Sequence, residues 1–360
     1  MPDSGATPHP FVRPVRAGAV SLVSPVELKQ LVAAHEPPVV VDVRPERERL
    51  LARIENDRHI PLAELPRRYG ELPSGRPVVV YDQFGANARR AAEYLVRKGH
   101  HRTAALEGGI DEYARIVDPT IPRYSAEDDP EHVTIRQFPR PETGCLAYLA
   151  TDPETRSAVV IDPGHEVAPY LAALSAGQLT LRAIVETHTH ADHLAGHAAL
   201  HERTGAPIYV GHRSPAQYPH LGLHEPDSLE FGRGVIHVLE TPGHTRDHLT
   251  LRLDRSIFTG DTLLIGGCGR TDLGDGDPEL LWSSLNDKIL ALPEETEVLP
   301  AHFGPRHALV DRYASSLGFE RATNEALNQG SRASFLRYMT EGWPPKPTNF
   351  DAIVRANLDA

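Results

Sequence analysis

Short apolar runs alternate with helix-like segments along the first third of this 360-residue chain. The runs at 39–43, 77–81 and 103–106 are rich in valine and alanine and are bounded by turn-forming residues, as buried parallel strands are. The sequence SPVE at 24–27 is typical of a capped helix start, and the alanine-rich segment 89–98 ends at a glycine, a common helix stop. Strands that alternate with helices predict a small α/β domain.

The apolar pattern changes in the second part of the chain. Runs at 145–150 and 157–161 flank a turn and predict paired strands, and a helix is predicted at 166–173. Further short apolar runs end at residues 186, 240, 260 and 301. The pattern predicts a disordered tail at 1–17 and a first domain at 18–125. A linker at 126–131 and a second domain at 132–360 follow.

Three histidines and one aspartate lie within six residues in the motif THTHADHLAG at 187–196. The apolar run 181–186 before this motif predicts a buried strand, and the segment 194–200 predicts the first turns of a helix. The motif therefore lies at the carboxyl end of a strand, on the turn into a helix. Open α/β sheets place their chemistry at such positions.

The spacing within this motif is that of metal ligands. His188 and His190 are two residues apart, so in an extended segment both side chains would point to one ion. Asp192 and His193 lie past the bend and can face the same point from the other side. Imidazole nitrogens and carboxylate oxygens are the usual ligands of zinc and iron. The motif predicts a metal site rather than a polar loop of exposed histidines.

Composition limits the partners of the chain. It has 37 lysines and arginines against 49 aspartates and glutamates, a formal net charge of −12. This balance argues against nucleic acid or an anionic membrane as a partner, because both favour basic surfaces. No apolar run approaches the length of a membrane span, and residues 1–16 lack the apolar centre of a signal peptide. Two cysteines, Cys145 and Cys268, make no disulfide framework, which suits a reducing cytoplasm.

The motif at 187–196 resembles the signature of the metallo-β-lactamase superfamily. The resemblance implies an αββα sandwich in which loops at one edge hold metal, and it implies further ligands later in the chain. Three residues occupy such positions, each after an apolar run: His244, Asp261 and His302. Asp162 ends another run and is expected either to orient a metal-bound histidine or to form only a turn.

A longer set of motifs resembles the glutathione persulfide dioxygenases of this superfamily. The set consists of RQF at 136–138, TGDTLLIGGCGRTD at 259–272, PAH at 300–302, TNEAL at 323–327 and RANL at 355–358. The resemblance implies one iron(II) ion bound by His188, His244 and Asp261. It also implies that glutathione persulfide, O₂ and water are converted into sulfite and glutathione. A small-molecule persulfide or thiol carrier and O₂ would then be the partners of the protein.

Residues 268–277 are expected to lie near the substrate. Arg270 is expected to hold a substrate carboxylate through a two-pronged contact, or alternatively to form a salt bridge with Asp272. Cys268 is expected to pack near the site rather than to act as a nucleophile. Family members usually have an aromatic residue after the RTD sequence, whereas LGDGD follows at 273–277, so the thiol carrier stays open.

Two other functions are compatible with these residues. Binuclear hydrolases of the glyoxalase II type complete two metal sites with four residues that this chain also has: His190, Asp192, His193 and His302. A thioester hydrolase with two zinc ions is therefore the main alternative. A non-catalytic protein that senses persulfide is the second alternative, although the intact ligand set argues against it. Three further histidines match no ligand position and are expected at the surface or in local hydrogen bonds: His220, His224 and His248.

The N-terminal domain resembles the rhodaneses. The resemblance is carried by VVVDVR at 39–44, HIPL at 59–62, VVYDQFGANARRAA at 79–92 and LEGGI at 106–110. Rhodaneses have a nucleophilic cysteine at the first position of the loop after the VVY strand, where this chain has Asp82. A carboxylate cannot accept sulfane sulfur as a persulfide. The domain is therefore expected to be inactive in sulfur transfer and to act in docking, for example in a homodimer interface.

Overall fold

The computed structural model describes residues 20–121, 133–140, 143–302, 314–341, 343 and 345–359. The predicted tail at 1–17 and the predicted linker at 126–131 lie outside these described residues. The chain forms two compact units, one made mainly of the first 124 residues and the other of the remainder. None of the helices in the described ranges is long and apolar enough to cross a membrane.

The valine and alanine runs of the N-terminal unit form the centre of a parallel sheet. Within residues 20–121 this sheet has five strands, in the order β1-β5-β4-β2-β3. The strands are β1 (Ser21–Val23), β2 (Val39–Asp42), β3 (Arg58–His59), β4 (Val78–Tyr81) and β5 (Thr103–Leu106). The helices are α1 (Pro25–Val32), α2 (Glu46–Leu51), α3 (Leu65–Arg68), α4 (Ala86–Arg97) and α5 (Gly109–Ile116), with a 3₁₀ turn at Tyr69–Glu71. Every residue of β4 and β5 is buried, which explains their apolar sequences.

Local sequence explains where two of these helices begin. Ser24 Oγ accepts a hydrogen bond from Glu27 N–H at 3.3 Å, and Glu27 Oε2 accepts one from Ser24 N–H at 2.9 Å. This reciprocal pair confirms the predicted capping box of α1. Helix α4 begins directly after Gly85, whose φ of 97° is accessible mainly to glycine. The tight turn at Gly85 brings Asp82 to the start of α4.

The C-terminal unit contains two sheets, each of six strands among the described residues. The first sheet has the order β11-β10-β9-β8-β7-β6, and its strands are β6 (Thr134–Arg140), β7 (Cys145–Asp152), β8 (Ser157–Ile161), β9 (Thr180–Val185), β10 (Ile208–Gly211) and β11 (Leu221–Leu223). The second sheet follows chain order with β12 (Ser228–Phe231), β13 (Gly234–Glu240), β14 (Leu249–Leu253), β15 (Ser256–Gly260), β16 (Glu297–Pro300) and β17 (Ser315–Ser316).

Helices cover the outer faces of these two sheets. They are α6 (Ala168–Ala176), α7 (His197–Thr204), α8 (Pro278–Ser283), α9 (Leu317–Thr323), α10 (Arg332–Thr340) and α11 (Phe350–Asp359), with a π-helical segment at Ser284–Lys288 and a 3₁₀ turn at Ile289–Ala291. Apolar residues of α6 and α7 pack on the first sheet, and those of α8 and α10 pack on the second. Between the sheets, the ring centres of Tyr148 and Phe258 lie 5.0 Å apart. This arrangement is the αββα sandwich that the resemblance implied.

Two helices of this unit differ from their predicted bounds. Helix α6 spans Ala168–Ala176 rather than 166–173, which places Pro169 in the first turn, where its missing N–H breaks no helical hydrogen bond. Helix α7 begins at His197 rather than at 194. Before α7 the backbone bonds to a neighbouring segment instead, with Leu194 O accepting from His165 N–H and Gly196 N–H donating to Pro163 O.

Candidate metal centre

Three predicted ligands meet at the edge of the sandwich where β9, β13 and β15 end. His188 follows β9, His244 follows β13 and Asp261 follows β15. One ligand atom from each of these residues, which we call the metal triad, lies within 4.8 Å of the other two. His244 Nε2 lies 3.5 Å from Asp261 Oδ2, a separation that suits two ligands each about 2 Å from one common ion. Two imidazoles and one carboxylate fit a divalent ion such as iron(II) or zinc.

Hydrogen bonds fix which nitrogen each histidine of the metal triad offers. Thr187 Oγ1 donates to Asp162 Oδ2 at 2.9 Å, so it accepts from His188 Nδ1, which lies 3.0 Å away. His244 Nδ1 donates to Arg270 O at 2.7 Å. Both rings therefore carry their proton on Nδ1 and leave Nε2 available to a metal. Asp162 orients His188 through Thr187, so its role is more than that of a turn residue.

Electrostatics keeps two residues of the metal triad, His188 and Asp261, in the protonation states that bind metals. Burial and the neighbouring imidazoles of His190 and His248 lower the pKa of His188 well below 6.5, so this ring is neutral. Burial raises the pKa of Asp261, but the charge and hydrogen bond of His302 outweigh burial and lower that pKa to about 2. At neutral pH the site therefore presents a neutral imidazole beside a charged carboxylate.

The metal triad opens into a cavity of about 690 Å³. His244 and Asp261 line it on the metal side. Its apolar lining includes residues of the C-terminal segment: Trp343, Phe350, Val354 and Leu358. A volume of this size, with a few polar groups among apolar walls, is typical of a small-molecule site.

Arg270 lines this cavity as an ion pair with Asp272. Its Nε and Nη2 atoms donate to the two carboxylate oxygens of Asp272, each at 2.7 Å, and its guanidinium lies 5.5 Å from the centre of the Trp343 ring. The structure therefore contains the alternative salt bridge rather than an uncommitted guanidinium. Asp272 is not among the described residues that line the cavity, so its direct role is to hold Arg270.

Cys268 has the packing role that the sequence predicted. Its thiol is buried beside Met339, with 3.5 Å between Sγ and Sδ. Burial raises the pKa of Cys268 to about 12. Since a thiol must lose its proton to attack, this raised pKa favours a packing role for Cys268, which also lines the cavity.

Comparison with known proteins identifies both units. Residues 140–302 match the family model "Metallo-beta-lactamase superfamily", and residues 24–116 match "Rhodanese-like domain". The protein "Persulfide dioxygenase ETHE1, mitochondrial" of Mus musculus is 37% identical over 250 residues, which are 68% of this chain and 94% of that protein. The chain belongs to the persulfide dioxygenase-like group of the metallo-β-lactamase superfamily.

A solved structure and a second class of relatives complete the comparison. The structure of ETHE1 from Myxococcus xanthus is 36% identical, has a TM-score of 0.59, and covers 62% of this chain and 97% of that one. A hydroxyacylglutathione hydrolase of Alkalilimnicola ehrlichii is 42% identical over 157 residues, which are 43% of this chain and 60% of that protein. This second similarity covers a smaller part of the chain.

In this persulfide dioxygenase-like protein, His302 bridges two carboxylates. Its Nδ1 lies 2.6 Å from Asp261 Oδ1, and its Nε2 lies 2.7 Å from Asp192 Oδ2. Burial lowers the pKa of His302, but the two carboxylates outweigh burial and raise that pKa well above 6.5. In this protonation state His302 donates one N–H group to each carboxylate. This residue, which was predicted for a possible second metal site, therefore connects Asp192 to Asp261 of the metal triad.

His190 belongs to a separate group of side chains. Its Nε2 lies 3.2 Å from Asp162 Oδ1 and 3.1 Å from Glu186 Oε2, and these three residues form a group distinct from the metal triad. The prediction that His188 and His190 point to one ion assumed an extended backbone, but the chain bends at 187–188. His190 Nδ1 is buried and has no hydrogen-bond partner among the described residues. A bound ion or water would satisfy this atom.

Sequence reasoning missed Cys145, which forms a third group with Asp192 and His193. Cys145 Sγ lies 2.6 Å from Asp192 Oδ2 and 3.5 Å from His302 Nε2, and His193 Nδ1 lies 3.1 Å from the same Asp192 oxygen. Burial raises the pKa of Cys145, but hydrogen bonds with His193 and His302 outweigh burial and lower that pKa to about 7. Cys145 precedes Asp192 by 47 residues, and no sequence motif links the two.

Of the two alternatives expected for His248, the structure has hydrogen bonding, including one to Thr241 Oγ1 at 3.1 Å, and this residue lies beside the metal triad rather than at the surface. It is buried, its Nε2 accepts a hydrogen bond from Asp261 N–H at 2.9 Å, and its ring stacks on His188 with 4.9 Å between centres. Burial and the neighbouring His244 lower the pKa of His248 to about 3. The other two histidines of that set make the expected local contacts: His220 with Tyr218 O and His224 with Asp227.

In the loop after β4 of the rhodanese-like unit, the side chain of Asp82 accepts hydrogen bonds from backbone N–H groups at the start of α4. Asp82 Oδ1 accepts a hydrogen bond from Gly85 N–H at 2.6 Å, and Oδ2 accepts one from Asn87 N–H at 3.0 Å. Asp82 is buried, and burial raises its pKa. Backbone N–H groups at a helix start would otherwise be available to an external anion. The carboxylate of Asp82 therefore fills this position from within the chain.

Proposed function

We propose that this protein is an iron(II)-dependent persulfide dioxygenase that converts glutathione persulfide, or a similar small persulfide, with O₂ and water into sulfite and the thiol. The metal triad of His188, His244 and Asp261 carries the proposal. These two histidines and one carboxylate would hold one iron(II) ion and would leave room beside it for other ligands. The similarity to proteins named persulfide dioxygenase over nearly their whole length supports this proposal.

The chain itself contributes orientation and exclusion of water. When bound, iron(II) would supply the activation of O₂. The contacts of Thr187 and of Arg270 O with the two ligand rings hold each Nε2 toward the ion. The apolar residues Phe350, Val354 and Leu358 line the cavity and would shelter a bound persulfide from water. Asp272 holds Arg270 beside Trp343, and a substrate carboxylate would have to share or replace this ion pair to contact the guanidinium.

A binuclear thioester hydrolase is the second candidate function. It is favoured by the similarity to hydroxyacylglutathione hydrolases and by the presence of Asp192, His193 and His302 near Asp261. The hydrogen bonds among these residues argue against it. Asp192 Oδ2 contacts Cys145, His193 and His302 at once, so a second ion would first have to displace these contacts.

Metal counting and turnover separate the two candidates. Protein purified without oxygen should hold one iron per chain, consume O₂ with glutathione persulfide and release sulfite. Two zinc ions per chain, together with hydrolysis of lactoylglutathione and no O₂ uptake by iron-loaded protein, would replace the dioxygenase with the hydrolase. An oxygen electrode, a sulfite assay and elemental analysis make the comparison on one preparation.

We also propose that the rhodanese-like unit takes no part in sulfur transfer. The carboxylate of Asp82 stands where a thiolate would be needed, and both cysteines of the chain are buried residues of the other unit. Docking to a partner or to a second copy of the chain is the role that remains for this unit. Both thiols are free, which supports a reducing compartment such as the cytoplasm.

A further inference from the structure

The C-terminal helix α11 has one buried polar residue that its amphipathic pattern does not explain. Asn357 is 6% exposed, whereas its neighbours Arg355 and Ala356 are exposed. The apolar residues of this helix at Phe350, Val354 and Leu358 line the cavity instead. A buried amide is unfavourable unless its donors and acceptor are used. The partners of Asn357 therefore indicate why an amide lies at this position.

All three of its described partners are backbone groups of the loop that carries the histidine motif. Asn357 Nδ2 donates to His190 O at 3.0 Å and to His193 O at 2.8 Å, and Asn357 Oδ1 accepts from Ala195 N–H at 2.8 Å. Residues 186–194 have no helix or strand of their own. These backbone groups would be unsatisfied in the interior without the amide. One side chain, more than 160 positions away in sequence, thus replaces the hydrogen bonds that a regular element would supply.

We propose that Asn357 is a positioning residue for the metal centre and that it couples the cavity wall to the metal-binding loop. The loop carries Asp192, whose carboxylate accepts from His302 at 2.7 Å. His302 in turn contacts Asp261 of the metal triad at 2.6 Å. A shift of the loop therefore reaches a metal ligand through two short hydrogen bonds.

The same helix contacts whatever occupies the cavity. Phe350, Val354 and Leu358 recur at intervals of four residues and form one stripe of α11 along the cavity. Asn357 projects from the adjoining position into the loop. A molecule bound in the cavity and the backbone of the metal-binding loop thus contact one rigid element from two sides. This link rests on the geometry of the metal triad and does not depend on which reaction the metal performs.

Two variants distinguish this role from simple packing. Asn357→Ala removes all three hydrogen bonds. Asn357→Asp keeps the shape and the acceptor for Ala195 N–H but places a carboxylate oxygen against the carbonyls of His190 and His193. Because only the amide can donate to both carbonyls, the aspartate variant should be at least as impaired as the alanine variant. Arg355→Gln, on the exposed side of the same helix, is the matched control.

The test measures binding of Co²⁺ or Zn²⁺ alone to the full-length metal-free protein, in competition with a chelator. Both Asn357 variants should bind the ion about 10-fold to 100-fold more weakly, as expected when a residue that supports a metal ligand is lost. Arg355→Gln should match the wild type. The visible spectrum of the Co²⁺ form should change in the Asn357 variants, which a purely structural role would leave unchanged.

Hydrogen exchange supplies a second measurement on the same proteins. Amides at 189–195 should exchange faster in Asn357→Ala, while those of β9 keep their protection. If Asn357→Ala does not fold, Asn357→Ser replaces it, because its hydroxyl retains one hydrogen bond and should give an intermediate affinity. Folded variants with wild-type metal affinity and an unchanged Co²⁺ spectrum would overturn the proposal. Loss of metal affinity without any dioxygenase activity in the wild type would leave it standing and would reject only the proposed reaction.

Discussion

Asp261 and His302 touch each other, yet their replacement should have different effects on metal binding. Asp261 is one of the three residues of the metal triad, so Asp261→Ala removes a ligand and its negative charge. His302 contacts Asp261 Oδ1 at 2.6 Å and acts on the ion only through that carboxylate. His302→Ala should therefore have the effect of losing a supporting partner.

The expected magnitudes follow from these two positions. Loss of a supporting hydrogen bond typically weakens metal binding about 10-fold to 100-fold, which corresponds to about 1.4 to 2.7 kcal/mol. His302→Gln retains one N–H donor and should lie at the lower end of that range. Asp261→Ala leaves two imidazoles without a carboxylate, so its affinity should fall by more than about 100-fold, beyond the range for a supporting partner.

Metal titration of the four metal-free proteins measures these differences. Wild type, Asp261→Ala, His302→Ala and His302→Gln are titrated with iron(II) under anaerobic conditions. His220→Ala serves as a control, because His220 contacts Tyr218 and belongs to none of the three groups of candidate ligands among the described residues. An equal and complete loss of metal in Asp261→Ala and His302→Ala would mean that His302 is a ligand. That result would refute the distinction between ligand and donor on which the mononuclear proposal depends.

The structure predicts the results of three further experiments. Thr187→Val should weaken metal binding about 10-fold, because it removes the hydroxyl that orients His188; titration measures it. Arg233→Ala should lower the free energy of unfolding at pH 7, because it removes the ion pair of the buried carboxylate of Asp152. Arg233 lowers the pKa of Asp152, so the ion pair stabilises the folded protein at pH values above the pKa of an unfolded aspartate, which is about 4. The difference in unfolding free energy between wild type and Arg233→Ala, measured with urea, should therefore become smaller below about pH 4. The full chain should release no thiocyanate from thiosulfate and cyanide, and turnover above a blank would refute the proposal that Asp82 makes the rhodanese-like unit inactive. The variant Asp82→Cys tests whether a thiol in this loop restores sulfur transfer.

The metal triad was expected because the chain resembles the persulfide dioxygenases, and the short apolar runs placed each of its residues after a strand. His188, His244 and Asp261 lie within four residues of the ends of β9, β13 and β15, and these strand ends meet at one edge of the sandwich. The same logic predicted the capping box at Ser24, because a cap depends only on residues three apart. Features that are local in sequence were therefore accessible to sequence reasoning.

The contacts that surround the metal triad were not predictable, because they join residues that are distant in the chain. Cys145 reaches Asp192 across 47 positions, and Asn357 reaches His190 across 167. His190 shows a different limit. The rule that residues two apart point the same way holds for extended strands, whereas the backbone bends at 187–188; the two rings still lie 4.2 Å apart, but His190 Nε2 contacts Asp162 and Glu186.

The number of metal ions at this site depends on protonation as well as on ligand identity. Asp192 and Asp261 are two carboxylates that need positive charge between them, and the imidazolium of His302 supplies it with one proton on each nitrogen. A second metal ion would supply the same compensation, but it would need His302 neutral and the Asp192 oxygen released from Cys145. The same set of histidine and aspartate residues is therefore compatible with a mononuclear or a binuclear metal centre. The chain is similar to proteins named persulfide dioxygenase and to proteins named hydroxyacylglutathione hydrolase, so the contacts of His302 carry more information about the site than its presence in the sequence.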